Sequence, residues 1–355
     1  MCPWTASRSA QRVCGLILAI FLLFPFSPAL ALTSPEWDAL AARLWLDGFD
    51  QDWLRQVFSD PVLAYDPQVM AKKMNSLLRI KLAQARPAPP GPPPADVYES
   101  FLRPEPLAEA REYVKQRAAL LRRVSSRYTV PQEVLVSMLL IETRLGTKIG
   151  ERGALAPLAS MAATVDVARI RPLIKSDQPL EAGIEQWLGK RTREKADWAY
   201  AETAALLRYA QDLSRAPMDI PGSVYGAIGF CQFMPTNIAK LGVDGDGDGK
   251  VDLFNHEDAL ASMANYLHQN GWTRDMNAAP TARRGKKGER IYNQRMLKTI
   301  YTYNHSWTYC RTILAVAAEL KSGKPPAPAQ TPGKPPVKPD QAPAAPKTAT
   351  FRRIS

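Results

Sequence analysis

Proline partitions this chain before any other residue does. Of 31 prolines among 355 residues, six fall between Pro87 and Pro94 and nine between positions 325 and 346. Proline fixes φ and has no N–H to donate, so neither stretch can be a helix interior or a central strand. The first reads as a stiff extended connector. The second, diluted with alanine and lysine, has too little apolar surface to order itself and reads as a disordered tether. The sequence therefore divides into a leader (1–31), an N-terminal helical segment (32–86), a connector (87–95), a main body (96–320) and a tail (321–355). A body of this size can bury a substantial core.

The leader has the parts of a secretory signal. Arg8 and Arg12 precede an uncharged apolar run from Val13 to Phe26, and Ala29-Leu30-Ala31 supplies a small-residue cleavage site. The run falls short of the roughly 20 apolar residues a membrane span needs. Cys14 follows Gln11-Arg12-Val13 rather than the apolar and small residues that precede a lipidated cysteine. Cleavage is expected after Ala31, giving an exported protein of the Gram-negative periplasm. In that oxidising compartment Cys231 and Cys310 either pair or serve as small buried apolar groups.

Charge narrows the partners. The net charge is +12, but +2 of it belongs to residues 1–31 and +6 to residues 321–355, leaving +4 for the rest. A nucleic-acid binder is expected to concentrate positive charge and aromatic rings on a folded face. The distribution here speaks against nucleic acid and suits an anionic polymer.

The body shows helical periodicity with few alternating β-branched runs. Thr129-Val130-Pro131-Gln132 has the Thr-x-x-Gln form of a helix start with an early proline. The spacing predicts a helix from there to Leu145, stopped at Gly146. Glu142 lies on its apolar face with Leu135, Met138, Leu139 and Leu145, while Arg144 points elsewhere. Apolar neighbours, the negative end of the helix dipole and the lack of a nearby cation all favour the protonated acid. A carboxyl protonated at neutral pH is what a general acid requires. The alternative is a buried glutamate satisfied by a distant arginine or by backbone.

A second segment, Pro221 to Pro235, is punctuated by Gly222, Gly226 and Gly229, as suits backbone that closes tightly on a ligand or merely turns. Ile141-Glu-Thr-Arg-Leu-Gly146, Gly226-Ala-Ile-Gly-Phe-Cys-Gln-Phe-Met-Pro235 and Asn265-Tyr-Leu-His-Gln-Asn-Gly-Trp272 together resemble the membrane-bound-type B lytic murein transglycosylases over residues 36–320. The resemblance implies a mainly α fold: a lysozyme-like catalytic core with an additional N-terminal helical domain. It implies cleavage of the β-1,4 bond between N-acetylmuramic acid and N-acetylglucosamine of peptidoglycan, without hydrolysis, to 1,6-anhydro ends. Glu142 would act first as acid and then as base. Ordinary glycosidases use two carboxylates, but a nucleophile within the substrate removes the need for the second.

By the same resemblance Ser223, Gln232, Phe233, Tyr303 and Asn304 line the saccharide groove; His305 reads as surface or structural, because the implied mechanism needs no imidazole. The chain departs from the family pattern at Tyr225, where a small residue is usual, and over 165–192, which reads as an insertion. No cofactor is required, the protein is expected to be a monomer on glycan strands, and the tail would meet an envelope partner. Hydrolytic muramidase and non-catalytic wall-binding module are the competing readings.

Asp244-Gly-Asp246-Gly-Asp248-Gly249-Lys250-Val251-Asp252 matches a calcium loop at positions 1, 3, 5, 6, 8 and 9. Lys250 would offer its backbone carbonyl. The closing position of the loop 244–255 is Asn255 instead of a bidentate glutamate. The loop is therefore either a weakened structural Ca2+ site or an empty surface loop.

Overall fold

The computed structural model describes residues 34–85, 96–176 and 179–323. The leader, the Pro87–Pro94 cluster and the tail beyond Gly323 lie outside them. Two compact units divide between Leu63 and Ala64.

The smaller unit contains α1 (Pro35–Leu46) and α2 (Gln51–Phe58). Asp50 caps α2, its side chain accepting from the Trp53 N–H at 2.7 Å. Buried Trp37 and Phe58 meet with ring centroids 5.6 Å apart, which fixes how the two helices pack.

The larger unit holds α3 (Pro67–Ala85), α4 (Pro104–Gln116), α5 (Ala118–Tyr128), α6 (Gln132–Thr143), α7 (Leu155–Ala163), α8 (Ala182–Asp212), α9 (Pro235–Leu241), α10 (His256–Gln269), α11 (Gln294–Tyr303) and α12 (Trp307–Ser322). Strands are confined to two short antiparallel pairs, β1 (Arg152–Gly153) with β2 (Pro221–Gly222), and β3 (Ala282–Arg284) with β4 (Arg290–Tyr292). The fold is mainly α. The unit boundary precedes the proline cluster, so α3 packs on α7 and α8 and belongs with the body rather than with α1 and α2. The expected division at 87–95 is corrected accordingly.

Helix α6 is the centre of the larger unit. Every residue from Val134 to Leu140 is buried, and α4, α5, α10 and α12 surround it. A helix apolar on all sides has to be enclosed on all sides. Its ends differ from expectation. Thr129 does not cap it; it terminates α5 in a left-handed conformation, and Pro131 occupies the N-cap of α6. The helix stops at Thr143, and Arg144, Leu145 and Gly146 follow with φ of 47°, 61° and 89°. Leu145 thus lies beyond the helix and off the face it was assigned to. The supposed insertion resolves into two short 3-10 turns, Val167–Arg169 and Arg171–Leu173, followed by the first turns of the 31-residue helix α8.

Candidate active site

The last turn of α6 is held from both sides. The Thr143 hydroxyl donates to the Phe230 carbonyl at 2.8 Å and accepts from the Gly146 N–H at 3.1 Å, tying the helix end to the Gly-rich segment. Arg144 reaches the other way, its Nε and Nη2 donating to the Glu109 carboxylate at 2.8 and 2.6 Å. A bidentate pair of this kind fixes the guanidinium. Two non-glycine residues in left-handed backbone cost roughly 1–2 kcal/mol each, and these contacts hold them there. The strain begins two residues after Glu142, at Arg144.

Glu142 itself faces Cys231, Tyr303 and Tyr309, each of which feels its charge. The Tyr309 hydroxyl donates to Glu142 Oε1 at 2.5 Å. Burial pushes the Glu142 pKa up to about 7, while the Tyr309 hydrogen bond pulls it back down. Among the described residues no cation pairs with Glu142 and no second carboxylate shifts its titration. The arginine that could have neutralised it is spent on Glu109. This side chain can therefore give up a proton near neutral pH and take one back.

The other sequence-predicted residues fall in two groups. Phe233 is 1% exposed, and its ring packs against Tyr266 and Tyr303 at centroid distances of 5.7 and 5.8 Å. The ring is enclosed by these neighbours and has no exposed face. The Tyr303 hydroxyl donates to the Cys231 carbonyl, and Asn304 is exposed where α11 ends. Ser223 and Gln232 shape the Gly-rich turn. The Ser223 oxygen accepts from the Ala227 N–H at 3.0 Å, and Gln232, itself left-handed, donates its amide to the Gly229 carbonyl at 3.0 Å. Ile228 bridges to both Gly222 and Phe233, folding the segment back on itself. Cys231 and Cys310 are both buried and free, so they serve as small apolar groups.

Sequence reasoning missed Tyr309. Its signal was present: Ser306 caps α12 by accepting from the Tyr309 N–H, which places residue 309 in the first turn, behind the Tyr303-Asn304 pair.

The acidic loop is built differently from the expected pattern. Asp244, Asp246 and Asp258 bring carboxylate oxygens within 4.8 Å of one another. Asp258 lies three residues past Asn255, on α10, and is 1% exposed. Burial and the Asp246 charge raise its pKa, and no cation offsets them. Such a cluster of hard oxygen donors fits a divalent cation such as Ca2+, which would relieve the repulsion. Asp248 and Asp252 stand outside the cluster: Asp248 accepts from the Lys250 N–H, and Asp252 pairs with Arg215 at 3.5 Å. Asn255 donates to Asp246 and caps α10 instead of closing the shell.

Residues 33–284 match a family model described as a transglycosylase SLT domain. The chain is 27% identical over 241 residues to the membrane-bound lytic murein transglycosylase B of Escherichia coli K12, a match covering 66% of this chain and 56% of that protein. The chain thus spans little more than half the length of that relative. In three dimensions it is similar to the E. coli lytic transglycosylase Slt35 in complex with bulgecin A, with a TM-score of 0.58 at 20% identity over 82% of this chain and 94% of that one. Slt35 has also been solved in complex with calcium. Pseudomonas aeruginosa SltB3, in complex with NAG-anhNAM-pentapeptide, matches with a TM-score of 0.58 at 21% identity over 81% of this chain and 79% of that one.

Proposed function

The chain belongs to the transglycosylase SLT domain family, and from that premise we propose that it is a lytic transglycosylase of peptidoglycan with Glu142 as its acid and base. The observation that carries this reading is a carboxyl with a pKa of about 7, hydrogen-bonded by Tyr309 and paired with no cation. The protonated Glu142 gives its proton to the glycosidic oxygen as the bond from that oxygen to the muramoyl anomeric carbon breaks. The substrate's acetamido group stabilises the cation that develops. The resulting carboxylate takes the proton of the muramoyl C6 hydroxyl, whose oxygen closes on the anomeric carbon. Glu142 ends as it began, and no water is consumed. Inverting hydrolysis would need a second carboxylate to activate water, and none titrates with Glu142 among the described residues. The anhydro-muramoyl ligand of SltB3 supports the same product.

On this reading Ser223, Gln232 and Asn304 contact the strand, and Phe233 and Tyr303, whose rings pack together, support them. Ca2+ held by Asp244, Asp246 and Asp258 would brace α10 and has no step in the chemistry. We also place the mature protein in the periplasm after cleavage at Ala31, acting as a monomer, its tail tethered to an envelope partner. Digestion of purified sacculi by the mature protein is expected to release muropeptides one water lighter than hydrolytic products, and Glu142→Gln is expected to release none. Hydrated reducing ends would make it a muramidase, and binding without cleavage a wall-binding module.

A further inference from the structure

One helix grips the strained turn after Glu142 at two points. Glu109 and Tyr113 of α4 are four residues apart and so share a face, and α4 packs against α6. Glu109 takes hold directly, through its bidentate pair with Arg144. Tyr113 takes hold through a relay. Its hydroxyl shares a hydrogen bond with His256 Nδ1 at 2.9 Å, and its ring meets the imidazole edge-on at a centroid distance of 5.4 Å. The imidazole in turn packs on the Phe230 ring, with centroids 4.5 Å apart and 36° between the planes. Phe230 is the residue whose carbonyl accepts from the hydroxyl of Thr143, the neighbour of Glu142.

The His256 and Phe230 rings close over the turn itself. Gly146 has φ +89°, and a Cβ there would come within 3.1 Å of the first ring and 3.2 Å of the second. Arg144 and Leu145 precede it with φ of 47° and 61°. Backbone of this kind persists only where its surroundings over-determine it. The two grips are unequal in that task. The Arg144 and Glu109 side chains are 42% and 41% exposed, so water and salt weaken their attraction. Tyr113 is 7% exposed, and a hydrogen bond shielded from water holds more firmly. Phe230 is also anchored at its own backbone, its N–H donating to the Leu253 carbonyl at 2.8 Å. With the Tyr113 hydroxyl removed, the imidazole is free to turn, and the Phe230 ring loses its backing against Gly146.

We propose that Tyr113 and His256 are positioning residues for the acid–base step: their hydrogen bond holds the imidazole on Phe230, and Phe230 fixes the end of α6 that carries Glu142. The inference rests on the lytic transglycosylase reading and extends it to residues that touch neither substrate nor the reacting carboxyl.

The test pairs kinetics on soluble glycan strands with a titration of Glu142 in the full mature protein. Tyr113→Phe removes the hydroxyl and keeps the ring. Its kcat should fall about tenfold while KM stays within about twofold. The Glu142 carboxyl-carbon resonance, assigned by its loss in Glu142→Gln, should titrate at about 6 instead of about 7 as the loosened acid gains water. His256→Ala should show the same changes, and adding Tyr113→Phe to it should cost nothing further, as for two residues acting as one unit. Tyr292→Phe, which takes the hydroxyl partner from Asp96 in β4, controls for the loss of a buried hydrogen bond and should alter neither readout. An unchanged kcat and titration in Tyr113→Phe, a loss confined to KM, additive losses in the double variant, or equal losses in Tyr292→Phe would overturn the proposal. The titration needs no substrate. A lowered Glu142 pKa in Tyr113→Phe, beside a wild type that cleaves nothing, would support the positioning role and remove the transglycosylase reading.

Discussion

Glu142 keeps its proton to about neutral pH because burial penalises its charge and only Tyr309 compensates. Two consequences can be measured. Tyr309→Phe removes a hydrogen bond that favours the charged form, so the Glu142 pKa should rise. The alkaline limb of the pH–rate profile is then expected above about 7, with a rate loss of about tenfold from the less firmly oriented acid. The second consequence is thermodynamic. Between the unfolded value of 4.5 and about 7, the native carboxyl holds a proton that the unfolded chain has released. Native stability therefore falls as pH rises through that window. Glu142→Gln abolishes the penalty, and denaturant titration is expected to find it more stable than wild type by about 1–3 kcal/mol at pH 8 and equal to it at pH 4.

At the scale of elements, the site depends on how closely the Gly-rich turn approaches its neighbours. Gly229 has φ +74°, and a Cβ there would meet the Leu253 carbonyl oxygen at 2.7 Å. Gly229→Ala is expected to destabilise the protein by about 2–3 kcal/mol and to impair cleavage along with it, read by thermal unfolding and a sacculus assay. The acidic loop makes a separate prediction. Saturating Ca2+ should raise the melting temperature by about 5 °C, and Asp258→Asn should abolish the rise even if it lowers the starting value. The element around Glu142 was legible in sequence because an acid on an apolar helix face, with Arg144 out of step, is a local pattern. The helix ends were not. Thr129 and Gln132 have the right types for a capping box, but Thr129 is committed to ending α5, and the turn after Thr143 is set by Phe230 and Glu109, distant in sequence. Asp258 escaped notice for the same reason. It lies past the end of the loop pattern, and only the packing of α10 brings it to Asp244 and Asp246.

At the scale of the molecule, the mainly α architecture followed from helical periodicity and scarce strand patterns, whereas the unit boundary did not. The proline cluster drew the division to 87–95, yet the apolar side of α3 is buried on α7 and α8 within the body. Composition marks where a chain cannot be helical; packing decides which helices belong together. The whole arrangement serves one chemical claim, that a single carboxyl suffices because the substrate supplies its own nucleophile. That claim is tested most directly by digesting sacculi in water enriched in heavy oxygen and weighing the muropeptides. The expected result is muramoyl ends that carry no solvent oxygen. Heavy oxygen at those ends would show that water is the nucleophile and would contradict the single-glutamate mechanism.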